Sequence, residues 1–192
     1  MYLVDRYLKQ TKVTDPGHMV KEYEGLPTDI AGLVKVVQNV FLHIHWAERY
    51  GATPTEQQKE HVQARLVSRI LEMLKEMESS PLTAPRAFSR RFYGNCRDHS
   101  VLLVSILRHQ GVPARARCGF GTYFSPGHFE DHWIVEYWDG RRWVSVDAQL
   151  DDFQKSRLKV DFDALDMPKG KFVNASDGWL RCRAGLEDPD NF

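Results

Sequence analysis

Two stretches in the first half of the chain carry hydrophobic residues at spacings of three and four, the pattern of an amphipathic helix. The sequence predicts one helix over residues 29–49 and a second over residues 54–78. The second stretch opens with Thr53-Pro54-Thr55-Glu56, which offers an N-cap, a proline at the first helical position and a capping-box glutamate. Each helix is expected to bury one face.

A third stretch, residues 96–110, is apolar on several sides rather than along one stripe. A helix of that kind is buried inside a domain. Asn95 is a good N-cap for it, and Gly111-Val112-Pro113 is suited to end it. We therefore predict a central buried helix that begins at Cys96.

The pattern changes to that of strands after residue 113, with aromatic and β-branched residues in short runs. We predict strands over residues 114–124, 132–138 and 142–148, with a turn at Asp139-Gly140 between the last two. Helices followed by strands predict an α+β fold, in which N-terminal helices and the central helix pack on an antiparallel sheet.

The length of 192 residues favours a single domain over residues 1–192. Within it we expect four parts: an N-terminal arm (1–27), a helical half (28–110), antiparallel strands (113–160) and a C-terminal segment (161–192).

The turn at Asp139-Gly140 makes a geometric prediction about two residues that could carry chemistry. If these two residues form the whole loop, Trp138 faces Arg141 and His132 lies opposite Asp147. Opposed side chains have Cβ atoms about 4.5–5.5 Å apart, within reach of a hydrogen bond between imidazole and carboxylate. The same register also gathers apolar residues into facing pairs: Trp133 with Val146, and Val135 with Val144.

Cys96 stands at the predicted start of the buried helix, where free N–H groups and the helix dipole favour a thiolate and can stabilise an oxyanion. A thiolate, an imidazole and an orienting carboxylate are the parts of nucleophilic acyl transfer. A small buried cysteine, a strand histidine and a turn carboxylate are the alternative readings. The helix start and the hairpin together favour a catalytic triad of Cys96, His132 and Asp147.

Composition narrows the function further. Hydrophobic residues make up 42% and charged residues 27%, with 26 basic and 26 acidic side chains. That balance is typical of a globular protein and argues against a nucleic-acid partner. No apolar run approaches the roughly 20 residues of a membrane span. The opening MYLVDRYLKQ lacks a signal pattern, and three cysteines cannot all pair, so we predict a cytoplasmic location.

No metal or cofactor is predicted. The three cysteines show no CxxC spacing. His43 and His45 lie two residues apart on a predicted helix and so should not share a face.

The segments around these three residues resemble those of the transglutaminase-like superfamily. Residues 94–99 (GNCRDH), an apolar helix and residues 111–115 (GVPAR) resemble its nucleophile segment. Residues 131–136 (DHWIVE) resemble its histidine strand and residues 140–147 (GRRWVSVD) its aspartate strand. The resemblance covers about residues 92–150. It implies a papain-like α+β core with Cys96, His132 and Asp147 as the triad.

The superfamily includes protein cross-linkers, peptide N-glycanases, peptidases and acyltransferases. The resemblance therefore implies a thioester formed from an amide or ester and resolved by water or an amine, with a peptide, protein or small amide as substrate. Small bacterial members resemble the chain and extend further, which leaves open that it ends short of its natural end. Two alternatives remain: a catalytically silent binding module, and a CoA-dependent N-acyltransferase, whose triad has the same order.

Several other residues are candidates for contacts with the substrate. Gln38 and Trp46 could supply the second oxyanion donor, although a partly exposed polar residue and a core aromatic are the plainer readings. Arginines can bind carboxylates or phosphates, and aromatic residues in loops can form a pocket wall. The substrate-binding candidates are Arg97, Arg117, Tyr123, Phe124 and Trp179.

Overall fold

The computed structural model describes residues 4–192, and residues 1–3 of the predicted arm lie outside the described residues. The rest of the arm packs on later parts of the chain. The Tyr23 hydroxyl lies 2.7 Å from Oγ of Ser105 in the central helix. The Tyr7 ring meets Trp143 edge-on, with 5.1 Å between ring centroids.

Helices dominate the first part of the chain and the sheet forms from its middle. The helices are α1 (Ile30–Val40), α2 (Glu56–Lys59), α3 (Val67–Met77), α4 (Cys96–His109), α5 (Asp152–Leu158) and α6 (Ala175–Arg183). The strands are β1 (Phe41–His43), β2 (Phe92–Gly94), β3 (Ala114–Gly121), β4 (Glu130–Trp138), β5 (Trp143–Val146) and β6 (Phe172–Asn174). Short 3₁₀ segments occupy Asp5–Leu8, Gly17–Tyr23, Ile44–Tyr50, Glu60–Gln63, Phe88–Arg90 and Pro189–Asn191.

The helix predicted over residues 29–49 is wrong beyond Val40. The chain becomes extended at Phe41 and forms β1, which pairs in parallel with β2. The 3₁₀ segment Ile44–Tyr50 follows, and its C-cap Gly51 has the left-handed conformation with φ +73°. Residues at helical spacing thus enter a strand because a distant segment offers backbone hydrogen bonds, which a local pattern cannot reveal.

The helix predicted over residues 54–78 is also interrupted. It divides into α2, a 3₁₀ segment and α3, with extended backbone at Leu66. Thr55, rather than Thr53, is the N-cap, and it forms a capping box with Gln58. The N–H of Val67, at the start of α3, donates to the carbonyl of Val13 in the arm, at 2.9 Å. The interruption of the helix before α3 therefore coincides with a backbone hydrogen bond to the N-terminal arm.

The central helix α4 begins at Cys96 and is buried from Asp98 to Leu107, as predicted for a central helix. It packs against α1 and α3 on one side and against β3 and β4 on the other. The larger sheet is antiparallel, with strand order β5-β4-β3-β6. The predicted α+β fold, with a nucleophile helix on an antiparallel sheet, is confirmed.

The register of β4 and β5 differs from the predicted one by two residues. Val135 lies opposite Val146 and Trp138 opposite Trp143, so residues 139–142 join the strands. Both predicted apolar pairs are thereby displaced: Trp133 with Val146, and Val135 with Val144.

The two-residue loop predicted at Asp139-Gly140 is wrong for a local reason. The Asp139 carboxylate accepts the N–H groups of Arg141 and Arg142, at 2.7 and 2.8 Å, and so stabilises a longer turn. Because side chains on a strand alternate with a period of two, a shift of two keeps each on its predicted face. His132 and Asp147 therefore meet as a diagonal pair rather than a direct one.

Candidate active site

The start of α4 is fixed by a capping box beside the cysteine. Oδ1 of Asn95 accepts the N–H of Asp98 at 3.3 Å, and Oδ2 of Asp98 accepts the N–H of Asn95 at 2.9 Å. Asp98 is fully buried and also accepts a 2.6 Å bond from Nη2 of Arg97. Cys96 lies inside this box as the first helical residue, so its own N–H is among those with no partner within the helix.

The strand before the cysteine fits closely against its neighbours. β2 ends at Gly94, whose partner across the parallel pair is His43. A Cβ at Gly94 would lie 3.1 Å from Oδ2 of Asp98 and 3.2 Å from the Phe41 ring. A side chain here would thus press on both the capping carboxylate and β1.

The buried face of the sheet brings a histidine to a carboxylate. His132 on β4 is 2% exposed, and Asp147, just after β5, is fully buried. Nε2 of His132 lies 2.9 Å from Oδ2 of Asp147. The same oxygen accepts a bond from the Tyr123 hydroxyl, and Oδ1 accepts the N–H of Gln149 at 2.9 Å. The carboxylate is thereby held from three directions.

The charged groups that surround His132 determine whether its imidazole is protonated. Burial alone would lower the pKa of His132, but the Asp147 carboxylate and Cys96 raise it to about 10. Burial would raise the pKa of Asp147, but His132, Tyr123 and the N–H of Gln149 lower it below its usual value. Both shifts favour an imidazolium paired with a carboxylate.

Cys96 and His132 open on one cleft of about 960 Å³. Its walls come from the 3₁₀ segments, the start of α4, the loop before β4 and α5. A thiol, an imidazole and a buried carboxylate beside a solvent-filled cleft can carry out nucleophilic attack on a carbonyl carbon.

The family model described as the Transglutaminase-like superfamily matches residues 44–148, more than half of the chain. This chain belongs to the transglutaminase-like superfamily. The matched region runs from the 3₁₀ segment after β1 to the residue after Asp147, and so contains all three members of the predicted triad.

A solved structure of a candidate cysteine protease from Cytophaga hutchinsonii is similar to this transglutaminase-like chain, with 15% identity and a TM-score of 0.44. The alignment covers 91% of this chain and 48% of the other, so the chain spans about half the length of that protein. None of the curated proteins compared with it matches.

The cleft of this transglutaminase-like protein contains three of the other residues singled out from the sequence. Trp46, Arg97 and Phe124 line it. Phe124 packs edge-on against the His132 ring, with 4.8 Å between centroids. Arg97 is bound to the carboxylate of Asp98 and so is partly committed to the helix start.

Four other candidates lie elsewhere. The amide of Gln38 donates to the carbonyl of Leu150 at 3.2 Å, and Gln38 does not line the cleft that Cys96 lines. Arg117 faces Glu136 on the sheet, at 3.5 Å. Trp179 is 61% exposed on α6. Tyr123 does not line the cleft but bonds the Asp147 carboxylate.

His43 and His45, which the sequence placed on a helix, both line the cleft. His43 ends β1 and lines the cleft, and its ring lies 5.7 Å from His45 and 6.3 Å from His99. Nδ1 of His43 is buried and has no hydrogen-bond partner among residues 4–192. Burial, then the neighbouring histidines, hold the pKa of His43 well below its usual value, so the ring is neutral. A strand assignment for residues 41–43 would have placed it beside Gly94.

Nothing in the described part of the chain gathers three histidine, cysteine or acidic side chains in a way that could hold a metal ion. Within residues 4–192, no helix is long and apolar enough to cross a bilayer.

Proposed function

We propose that this protein is a cysteine-dependent enzyme that cleaves an amide or ester of a peptide or protein through a thioester on Cys96. The observation that carries the proposal is the buried pair of His132 and Asp147, 2.9 Å apart, on the cleft that Cys96 also lines. Nε2 of the imidazole faces Asp147, which leaves Nδ1 to exchange a proton with the thiol.

In the first half-reaction the Cys96 thiolate attacks the carbonyl carbon and a tetrahedral oxyanion forms. The carbon–nitrogen or carbon–oxygen bond then breaks. The leaving group takes the proton from the His132 imidazolium and departs, while the acyl group stays as a thioester. Asp147 holds the imidazole in the required tautomer throughout.

In the second half-reaction His132 removes a proton from water or from an amine, which attacks the thioester carbonyl. Collapse of the second tetrahedral intermediate expels the Cys96 thiolate and leaves the enzyme with the thiolate beside the His132 imidazolium, as at the start. Water gives hydrolysis, and an amine gives acyl transfer, so the nature of the acceptor decides the class of enzyme.

The oxyanion requires donors on one side of the thiol. The N–H of Cys96, free at the start of α4, is the first. The second comes from the cleft wall, where Trp46 carries an indole N–H and His43 a neutral imidazole. Replacing either donor with phenylalanine is expected to reduce kcat by about 10²–10³ if it is the one used.

The proposal is tested by labelling with an electrophilic peptide probe and by turnover of peptide amide, ester and glycopeptide libraries. The wild type should be labelled and active, Cys96→Ala should be neither, and Cys118→Ala should match the wild type. Products formed with and without added hydroxylamine separate hydrolysis from transfer. A wild type that is labelled no faster than free cysteine would support the silent binding module. Turnover only with acetyl-CoA would support the N-acyltransferase.

A further inference from the structure

The cleft carries two groups of opposite charge that no internal ion pair neutralises. Arg49, Arg65 and Arg157 line it, and none has a carboxylate within ion-pair distance among residues 4–192. We call these three the arginine wall. Glu130 and Asp131 line the cleft too, and likewise have no cationic partner in the described chain; we call them the acidic wall.

Two arginines of this wall, Arg49 and Arg157, are oriented by neutral partners. The guanidinium of Arg49 lies over the Trp46 ring at 4.7 Å and donates to the carbonyl of His45 at 3.2 Å. That of Arg157 lies over the Phe153 ring at 5.3 Å. Stacking on a ring directs a guanidinium while leaving most of its donors available for an anion.

The elements that carry Arg49 and Arg157 are joined to one another. The ring of Tyr50, next to Arg49, stacks on Phe153 of α5 at 4.4 Å, and its hydroxyl donates to Asp151 at 2.6 Å. The 3₁₀ segment and α5 therefore form one side of the cleft.

The acidic wall comes from the sheet. Glu130 and Asp131 are the first two residues of β4 and directly precede His132. Ser125, in the loop before the strand, donates to the carboxylate of Glu130. The two walls thus come from different elements and line the same cleft as the proposed nucleophile and base.

We propose that the cleft selects a dipolar peptide, with an acidic residue facing the arginine wall and a basic residue or amine facing the acidic wall. The inference takes the cleft of the proposed function as its substrate site. Arginine forks match a carboxylate by two parallel hydrogen bonds. A polyphosphate such as that of CoA would also meet the arginines, but the two carboxylates repel it.

Binding to Cys96→Ala tests the preference without requiring turnover. The probes are fluorescein-labelled peptides of equal length around a central amide: one with glutamate before and lysine after it, one with the order reversed, and one with glutamine at both positions. Anisotropy at low and at moderate salt gives Kd. We expect one charged peptide to bind about tenfold more tightly than the neutral one, since each exposed ion pair contributes about two- to fivefold. The advantage should shrink with salt.

Variants of the two walls show which wall binds which charge of the peptide. Replacing the arginine wall by glutamine should remove the contribution of the glutamate alone and leave the favoured peptide about two- to fivefold tighter than the neutral one. Glu130→Gln with Asp131→Asn should remove the contribution of lysine alone. A control with the same change in charge outside the cleft, Arg69, Arg90 and Arg181 each replaced by glutamine, should bind like the parent.

Equal or undetectable binding of charged and neutral peptides overturns the proposal, as does an equal loss in the control variant. So does tighter binding of CoA or pyrophosphate than of the favoured peptide at matched ionic strength, which would make phosphate the ligand. If Cys96 of the wild type proves unreactive while the peptide preference and its loss persist, the proposed chemistry fails and the dipolar selectivity stands.

Discussion

The hydroxyl of Tyr123 donates a 2.5 Å hydrogen bond to Oδ2 of Asp147, the oxygen that also faces the catalytic candidate His132. Tyr123 follows β3 and packs against Phe124 and His132. It therefore helps to orient the carboxylate through the same oxygen, and it does not line the cleft.

Tyr123→Phe removes this bond while keeping the ring. A hydrogen bond to a charged group contributes about 1.5–3 kcal/mol, so we expect kcat/KM to fall about tenfold with KM nearly unchanged. The pKa of Asp147 should rise, because the tyrosine bond is one of the causes that lower it. Steady-state kinetics on the best peptide substrate measures the change. Tyr137→Phe is the matched control, since that hydroxyl has no hydrogen-bond partner in the described chain; an equal loss there would count against the orienting role.

Alkylation of Cys96 at neutral pH should depend on the charge of His132. Burial opposes charge on His132, but Asp147 and Cys96 raise its pKa to about 10, so at neutral pH an imidazolium stands beside the thiol and favours its attack on the reagent. Asp147→Asn should slow alkylation at pH 6–7 at least about tenfold. Iodoacetamide kinetics read by peptide mass spectrometry resolves each cysteine.

Cys118 in the same samples serves as the internal control. Burial, then Cys96 and Asp131, raise the pKa of its thiol, so it should react slowly at neutral pH and faster as the pH rises. If Asp147→Asn left the rate at Cys96 unchanged, or if Cys96 of the wild type reacted no faster than Cys118 at neutral pH, the role of the imidazolium would be contradicted.

Folding stability should fall as the pH rises from about 7 to 10. The pKa of His132 is raised in the folded state, so the stabilisation is complete below the unfolded value of 6.5 and is lost as the pH approaches 10. One proton contributes at most about 1.4 kcal/mol per pH unit. Urea unfolding at pH 7, 8 and 9 measures the slope.

His132→Gln should flatten that slope, whereas His61→Gln should keep it. Burial lowers the pKa of His61, so any stability linked to that residue is lost on the acidic side instead. A slope that survives His132→Gln would assign it to another group.

Gly119→Ala should destabilise the fold by about 1–3 kcal/mol or more. A Cβ there would lie 2.2 Å from the carbonyl oxygen of Val173 and 2.6 Å from the Phe172 ring, so β6 would have to move. Gly119 also lies opposite His132 on β4. Urea unfolding of the variant should be compared with Arg117→Ala on the same strand, which loses only a partly exposed ion pair and should cost under about 1 kcal/mol.

The sequence predicted the parts of this fold that local patterns control. The burial of α4 follows from its composition, and its start follows from Asn95 and Asp98, which form both bonds of the capping box. Strand β4 was likewise recognised from its aromatic and β-branched residues.

What the sequence did not predict depends on distant contacts. β1 exists because β2, about fifty residues later, pairs with it, and helical spacing in residues 29–49 concealed it. The role of Tyr123 as a hydrogen-bond donor to Asp147 requires that a loop fold back over the sheet, which no spacing in the sequence encodes. The pairing of His43 with Gly94 of β2, just before Cys96, was not predicted for the same reason, because His43 was assigned to a helix.

The joining of β4 to β5 by residues 139–142 has a consequence for loop engineering. The carboxylate of Asp147 is kept towards His132 by the pairing of β5 with β4, and a slip of one residue in that pairing would turn it to the other face. A tag or epitope inserted within residues 139–142 should therefore be tolerated as long as Trp138 and Trp143 remain paired, whatever its length.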